Sequence, residues 1–87
     1  MTTTSADTIL ATVTEIAISE TGLSATDLTP DADLRAMAGV DSVRVLRMIA
    51  RIERTFDIEL ADEDVFGMST LTEVTAVVAR AVREEAA

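Results

Sequence analysis

Residues 41–56 read DSVRVLRMIARIERTF and contain the clearest helical pattern in this 87-residue chain. On a helical wheel the apolar side chains cover one broad side, which is formed by Val45, Leu46, Met48, Ile49, Ile52 and Phe56. The basic side chains fall within a narrow stripe on the other side, formed by Arg44, Arg47, Arg51 and Arg54. The pattern predicts an amphipathic helix over about residues 42–55, with Asp41 as its N-cap.

A second amphipathic helix is predicted over residues 5–20, where apolar residues recur three and four positions apart. Ser5 is expected to be its N-cap. Gly22 lies where a helix C-terminus favours a left-handed residue.

Two more helices are predicted in the second half of the chain. Residues 62–66 begin with three acids, which suit the first turn of a short helix, and Gly67 is expected to end it. Thr70 and Glu73 match a capping box at the start of a last helix over residues 70–83.

These segments predict an all-α fold in one domain spanning residues 1–87. The expected architecture is a small four-helix bundle, with three main helices, one short helix and a long loop between helices 1 and 2. Isolated leucines are expected to pin this loop to the core, namely Leu23, Leu28 and Leu34. Because aromatic content is only 2%, the core must use aliphatic residues together with Phe56 and Phe66.

The overall composition excludes several classes of function. A net charge of −9 argues against nucleic acid as a partner, since phosphate binding needs a basic surface. No apolar run approaches the roughly 20 residues of a membrane helix, and the first four residues lack the features of a signal peptide. We therefore expect a cytoplasmic protein without membrane attachment, and a monomer.

Few side chains are suited to chemistry, because the chain has no His, Cys, Trp or Tyr. Asp31 and Asp33 resemble the start of a calcium loop, but Arg35 and the lack of glycine at the sixth position argue against one. The acids at 62–64 are expected to be a solvated helix start, so no metal site and no catalytic residue are predicted. The hydroxyl of Ser42, at a helix start beside Asp41, is the main remaining candidate.

The arginine stripe has three interpretations. It could be a DNA recognition helix, although the charge of the whole chain opposes this. It could be a face that docks on another protein. Alternatively, the arginines only solvate the outer side of the helix, with Glu53 available as a local partner.

The chain resembles the acyl and peptidyl carrier proteins in an ordered set of motifs that covers nearly the whole domain. The set comprises Thr29-Pro30-Asp31-Ala32-Asp33-Leu34, Gly39-Val40-Asp41-Ser42-Val43, Ile58-Glu59-Leu60-Ala61-Asp62-Glu63-Asp64 and Ser69-Thr70-Leu71. One departure is Met37-Ala38-Gly39, which puts one residue more than usual between the apolar anchor and the serine. This implies a locally reshaped loop before Ser42.

The resemblance implies that a phosphopantetheinyl transferase attaches the 4′-phosphopantetheine arm of coenzyme A to Ser42. The arm would carry an acyl or aminoacyl group as a thioester between loading and processing enzymes, and the carrier itself would catalyse nothing. Partner contacts are expected at Asp41 and Val43, and at Arg44, Arg47 and Arg51 if charge steers docking. Leu46, Met48, Ile49 and Phe56 are expected to face the core.

The resemblance implies that carriers of bacterial fatty acid synthesis have an acidic second helix, so the basic second helix of this chain is unusual for that group. It favours a discrete carrier of a specialised pathway of polyketide or nonribosomal peptide type, such as antibiotic biosynthesis. An acyl carrier is the leading hypothesis and an aminoacyl or peptidyl carrier the second. A helical adaptor without a prosthetic group is the alternative of another class.

Overall fold

The structure is a computed structural model that describes residues 5–37 and 40–86, with side chains up to residue 84. Its elements in chain order are α1 (Ala6–Thr21), a short 3-10 helix (Leu34–Ala36), α2 (Ser42–Phe56), α3 (Asp62–Gly67) and α4 (Leu71–Ala86). The predicted all-α fold, with three main helices and one short helix, is confirmed, and the described residues contain no strand.

The ends of α1 and the start of α2 are formed by the residues that the sequence predicts. Ser5 Oγ accepts a hydrogen bond from the N–H of Thr8 at 3.2 Å, and Gly22 follows α1 in the left-handed region with φ 76°. Asp41 Oδ1 accepts a hydrogen bond from the N–H of Arg44 at 2.8 Å. These caps satisfy donors that a helix start leaves without partners, so they fix where α1 and α2 begin.

The start of α4 is a capping box, also as predicted. Thr70 Oγ accepts from the N–H of Glu73 at 3.1 Å, while Glu73 Oε1 accepts from the N–H groups of Ser69 and Thr70. The Ser69 hydroxyl also donates to Glu73, and these bonds together lower the pKa of the Glu73 carboxyl. The ionised Glu73 therefore stabilises the fold fully at pH values above the pKa of this carboxyl in the unfolded chain. This stabilisation is lost as the pH falls through the lower pKa of the folded protein.

The core forms where α1 lies between α2 and α4. It combines residues of all three long helices and of the connections, namely Ile9, Val13, Ile16, Ala17, Leu28, Leu34, Met48, Ile49, Ile52, Ile58, Met68, Leu71, Val74 and Val78. Leu28 and Leu34 are buried and Leu23 packs against the core, so the leucines pin the long loop as expected.

Two core predictions are wrong. Leu46 is 61% exposed and Phe66 is 73% exposed, although both were expected inside. The reason is that α3 has only six residues and buries none of them, so it does not cover the adjoining edge of α2. Phe56 is half-buried against the core.

The long loop is also held by hydrogen bonds to the start of α4. The N–H of Leu34 donates to Ser69 O at 2.8 Å, and the N–H of Thr72 donates to Pro30 O at 3.0 Å. Asp33 Oδ1 accepts from the N–H of Arg35 at 3.0 Å and so caps the 3-10 helix. The position of Arg35 is therefore set by an anchored segment of the loop.

Thr75 is a buried polar residue of α4, and we expect Thr75→Val to stabilise the fold. It is 8% exposed, and its Oγ has no hydrogen-bond partner among the described residues. Valine has a similar shape without the unsatisfied hydroxyl, so a gain of about 1 kcal/mol is expected. Urea unfolding would measure it; an unchanged midpoint would show that water or another group satisfies the hydroxyl.

Asp57 ends α2 in a left-handed conformation, with φ 55°, and we expect Asp57→Gly to raise the melting temperature. Glycine removes the steric cost of this conformation, and the change also removes a negative charge from a helix C-terminus. Glycine also has more conformational entropy in the unfolded chain, which offsets part of this effect. The free energy of unfolding is therefore expected to rise by about 0.5 kcal/mol. Asp57→Ala separates the two causes, because it removes the charge but keeps the Cβ; a more stable alanine than glycine variant would contradict the steric explanation.

Candidate functional site

Ser42 is the first residue of α2 and is exposed. Of the five serines in the chain, the hydroxyls of the other four are engaged in hydrogen bonds, with Thr8, Arg51, Asp27 and Glu73. Among the described residues, the hydroxyl of Ser42 has no such partner. It is therefore the serine hydroxyl that is best placed to react.

Asp41 fixes the backbone that carries Ser42. Its side chain accepts from the N–H of Arg44, and its carbonyl accepts from the N–H of Val45 at 3.0 Å. The first turn of α2 is thus closed around the N-cap, with Ser42 on the outer surface of that turn. The positive end of the helix dipole lies here and favours a negative group bonded to Ser42.

A groove of about 430 Å³ opens beside Ser42. It runs between the start of α2 and the short α3, and its apolar lining is formed by Val40, Val45, Leu46, Val65 and Phe66. Arg35, Asp41 and Ser42 complete the wall. The exposed Leu46 and Phe66, which were expected in the core, therefore belong to the surface beside the candidate serine.

Helix α3, which forms one wall of this groove, is held mainly by polar contacts. The guanidinium of Arg35 donates a hydrogen bond to Phe66 O, and the guanidinium of Arg80 pairs with Asp64 Oδ2 at 2.7 Å. The bond with Asp64 and its charge raise the pKa of Arg80. Since α3 buries no residue, these contacts and the half-buried Val65 keep it in place.

Three of the four arginines in the stripe contact the C-terminal end of α1. Arg47 Nε lies 3.2 Å from Glu20 Oε1, and Arg51 Nη1 lies 3.1 Å from Glu20 Oε2. Arg44 Nη1 donates to the carbonyl of Glu20 at 2.9 Å. Three arginines of α2 therefore converge on one residue of α1.

Glu53, which one interpretation offered as a local partner of the stripe, forms no ion pair with these arginines among the described residues. Glu53 Oε2 accepts instead from the N–H of Leu60 at 2.9 Å, and so holds the connection between α2 and α3. Sequence reasoning missed Glu20, although one signal was present. An acid in the last turn of a helix opposes the helix dipole, and its presence there calls for a cationic partner.

The structure divides the predicted recognition residues into two groups. Asp41 lines the groove, and Val43, at 63% exposure, follows Ser42 on the surface. Arg44, Arg47 and Arg51 lie on the side of α2 that contacts the end of α1. The loop change predicted at Ala38 and Gly39 lies outside the described residues.

The described residues offer no group of three or more acids that could hold a metal ion. Nor is any helix in that part of the chain long and apolar enough to cross a membrane.

A model of the phosphopantetheine attachment site family matches residues 11–78, which is well over half of the chain. The match contains α2, α3, the groove and Ser42. Domains of this family carry covalently bound 4′-phosphopantetheine, and they work with a phosphopantetheinyl transferase and with biosynthetic enzymes. An exposed serine hydroxyl beside an open groove, without a hydrogen-bond partner in the described part of the chain, fits such a group. The chain belongs to the phosphopantetheine-binding family of acyl and peptidyl carrier proteins.

Proposed function

We propose that Ser42 bears the 4′-phosphopantetheine arm and that the chain is an acyl carrier protein. It would carry an acyl-type intermediate between enzymes of a polyketide-like or related biosynthetic pathway and catalyse no reaction itself. The observation that carries this proposal is the exposed hydroxyl of Ser42, which has no partner among the described residues and lies on the groove between α2 and α3.

The residues around Ser42 have distinct tasks in this function. Asp41 holds the first turn of α2, so that Ser42 Oγ is presented to the transferase in a fixed position. The helix start favours the negative charge of the resulting phosphodiester. When bound, the arm supplies a terminal thiol that carries the cargo as a thioester.

The lining of the groove favours an acyl cargo over an aminoacyl or peptidyl cargo. Five of the residues on its wall are apolar, and two of them, Leu46 and Phe66, are largely exposed in the structure. An acyl chain would cover part of this apolar surface, at about 25 cal/mol for each Å² removed from water. A charged aminoacyl group would gain less there, since its ammonium group would lose hydration.

The type of cargo is tested by loading the apo protein from acyl-coenzyme A and from aminoacyl-coenzyme A with a promiscuous transferase. NMR signals of Val65 and Phe66 are expected to shift with the acyl cargo and to change little with the aminoacyl cargo. Equal shifts with both would remove the argument for an acyl carrier and leave the peptidyl alternative equally supported.

The attachment itself is tested by intact mass. Incubation of the apo protein with coenzyme A and the transferase should add the mass of one phosphopantetheine, and peptide mapping should locate it at Ser42. An unchanged mass would refute the proposal. The family match already argues against an adaptor without a prosthetic group.

For docking, we propose that partner enzymes contact the surface next to Ser42, through Asp41 and Val43, with Arg44 and Arg47 at its edge. The side chain of Arg47 is 72% exposed even though it pairs with Glu20, so it can still meet a partner. The side chain of Arg51 is less exposed than that of Arg47, so Arg51 contributes less to docking. The partners are expected to present apolar groups near their entrances, with acidic or neutral surroundings.

A further inference from the structure

Arg35 is the cation on the wall of the groove that contains Ser42. It lies in the 3-10 helix of the long loop, next to the buried Leu34. Asp33 accepts a hydrogen bond from the N–H of Arg35, and the N–H of Leu34 donates to Ser69 O, so the backbone that leads into Arg35 is anchored. The loop thus delivers a guanidinium to the groove from a fixed base.

The guanidinium of Arg35 has donors to spare. It has five N–H groups, and one hydrogen bond is described for it, to Phe66 O. Arg47, Arg51 and Arg80 are each paired with a carboxylate, whereas no carboxylate lies within 4 Å of Arg35 among the described residues. Its positive charge is therefore not neutralised by an ion pair in this part of the chain.

We propose that Arg35 binds the phosphodiester of the arm attached to Ser42. This inference rests on the proposed function, and it adds a second residue to the attachment site. A phosphodiester on Ser42 Oγ would carry a negative charge into a groove whose walls are mostly apolar and whose other ionic group is Asp41. Arginine offers a planar fork of donors that suits phosphate oxygens, and its charge offsets the repulsion from Asp41.

The position of Arg35 also links the attachment site to α3, which forms one wall of the groove. The same guanidinium donates to Phe66 O in α3, so the phosphodiester and α3 would share one cation. Binding the phosphodiester would direct the start of the arm towards α3 and the apolar lining. Arg35 is accordingly a binding residue for the arm rather than a catalytic one.

The experiment compares apo and holo protein by NMR, with two readouts. The first is the Nε–H signal of Arg35, which should shift when the arm is attached, while that of Arg83 should not. The second is the ³¹P signal of the phosphodiester. In holo Arg35→Gln it should move to the position that it has in urea-unfolded holo protein, and in Arg35→Lys it should lie between this position and that of the wild type.

Arg83→Gln is the matched control, because it removes one positive charge from an exposed position on α4 outside the groove. Its ³¹P signal should equal that of the wild type. Two comparisons use the wild type alone, namely the Arg35 signal in apo against holo protein and the ³¹P signal in folded against urea-unfolded holo protein. They do not depend on whether Arg35→Gln folds. The proposal is overturned if the Arg35 signal is the same in apo and holo protein, or if Arg35→Gln leaves the ³¹P signal unchanged.

Free coenzyme A added to apo protein separates the covalent arm from a free phosphate ligand. We expect no shift of the Arg35 signal at equimolar coenzyme A. A shift with free coenzyme A and none in the holo protein would contradict the assignment to the arm. Failure of the proposed function looks different, because the intact mass would then show no arm or peptide mapping would place it on another residue.

Discussion

The Ser42→Ala variant is expected to gain no mass with coenzyme A and a promiscuous phosphopantetheinyl transferase, while the wild type gains one arm. The loss should be complete, because alanine has no oxygen to form the phosphodiester and the hydroxyls of the other serines are already engaged in hydrogen bonds. Intact mass spectrometry measures the outcome directly. Carriage of any cargo should be lost with the arm.

The matched control is Ser24→Ala, which removes an exposed serine hydroxyl that bonds to Asp27 at 3.1 Å. This variant should be modified at the wild-type rate. The free energy of unfolding of Ser42→Ala should lie within about 0.5 kcal/mol of the wild-type value, since Ser42 is exposed and the N-cap Asp41 remains. An arm that persists in Ser42→Ala, or disappears in Ser24→Ala, would move the attachment site elsewhere.

The elements of this fold could be read from the sequence because its signals are local. The N-caps at Ser5 and Asp41, the left-handed Gly22 and the box at Thr70 each act within four residues of the chain. Local hydrogen bonding of this kind follows from residue type and spacing alone. The position of Ser42 at the start of a helix followed in the same way, from Asp41 as the N-cap.

The burial of individual side chains could not be read in the same way. The apolar side of α2 spans a wider arc than its neighbours cover, and periodicity does not reveal which edge lacks a neighbour. Leu46 remains exposed because α3 is short and buries no residue. That same feature produces the groove, so the misplaced leucine and phenylalanine are the residues that shape the candidate site.

The polar contacts between distant segments could not be predicted from the sequence. Arg47 and Arg51 meet Glu20 across more than 25 positions, and Arg35 meets Phe66 across 31. Helical spacing places the arginines on one stripe but does not say what faces that stripe. The packing of α1 against α2 determines what faces the stripe. Because Glu20 lies there, the stripe is a partly neutralised surface rather than a free basic face.

Glu20→Gln is expected to destabilise the fold by about 1–2 kcal/mol, through loss of its two ion pairs with Arg47 and Arg51. The glutamate side chain is 12% exposed, which strengthens its ion pairs, whereas the arginines are more exposed and can be rehydrated, which limits the cost. Each kcal/mol corresponds to a fall of roughly 4–8 °C in melting temperature for a domain of this size. Calorimetry at low salt measures the change, and high salt should reduce it.

Glu15→Gln is the matched control, because it neutralises an exposed acid on the same helix, and we expect it to change stability by less than about 0.5 kcal/mol. The double variant Glu20→Gln with Arg47→Gln should cost less than the sum of the single changes, since both remove the same ion pair. Strict additivity, together with an unchanged melting temperature in Glu20→Gln, would mean that Glu20 does not hold the arginines. They would then be free to bind acidic partners, and a basic docking face would regain its support. With the expected coupling, the arginines serve first to hold α2 against α1, and so to fix the helix whose first residue is Ser42.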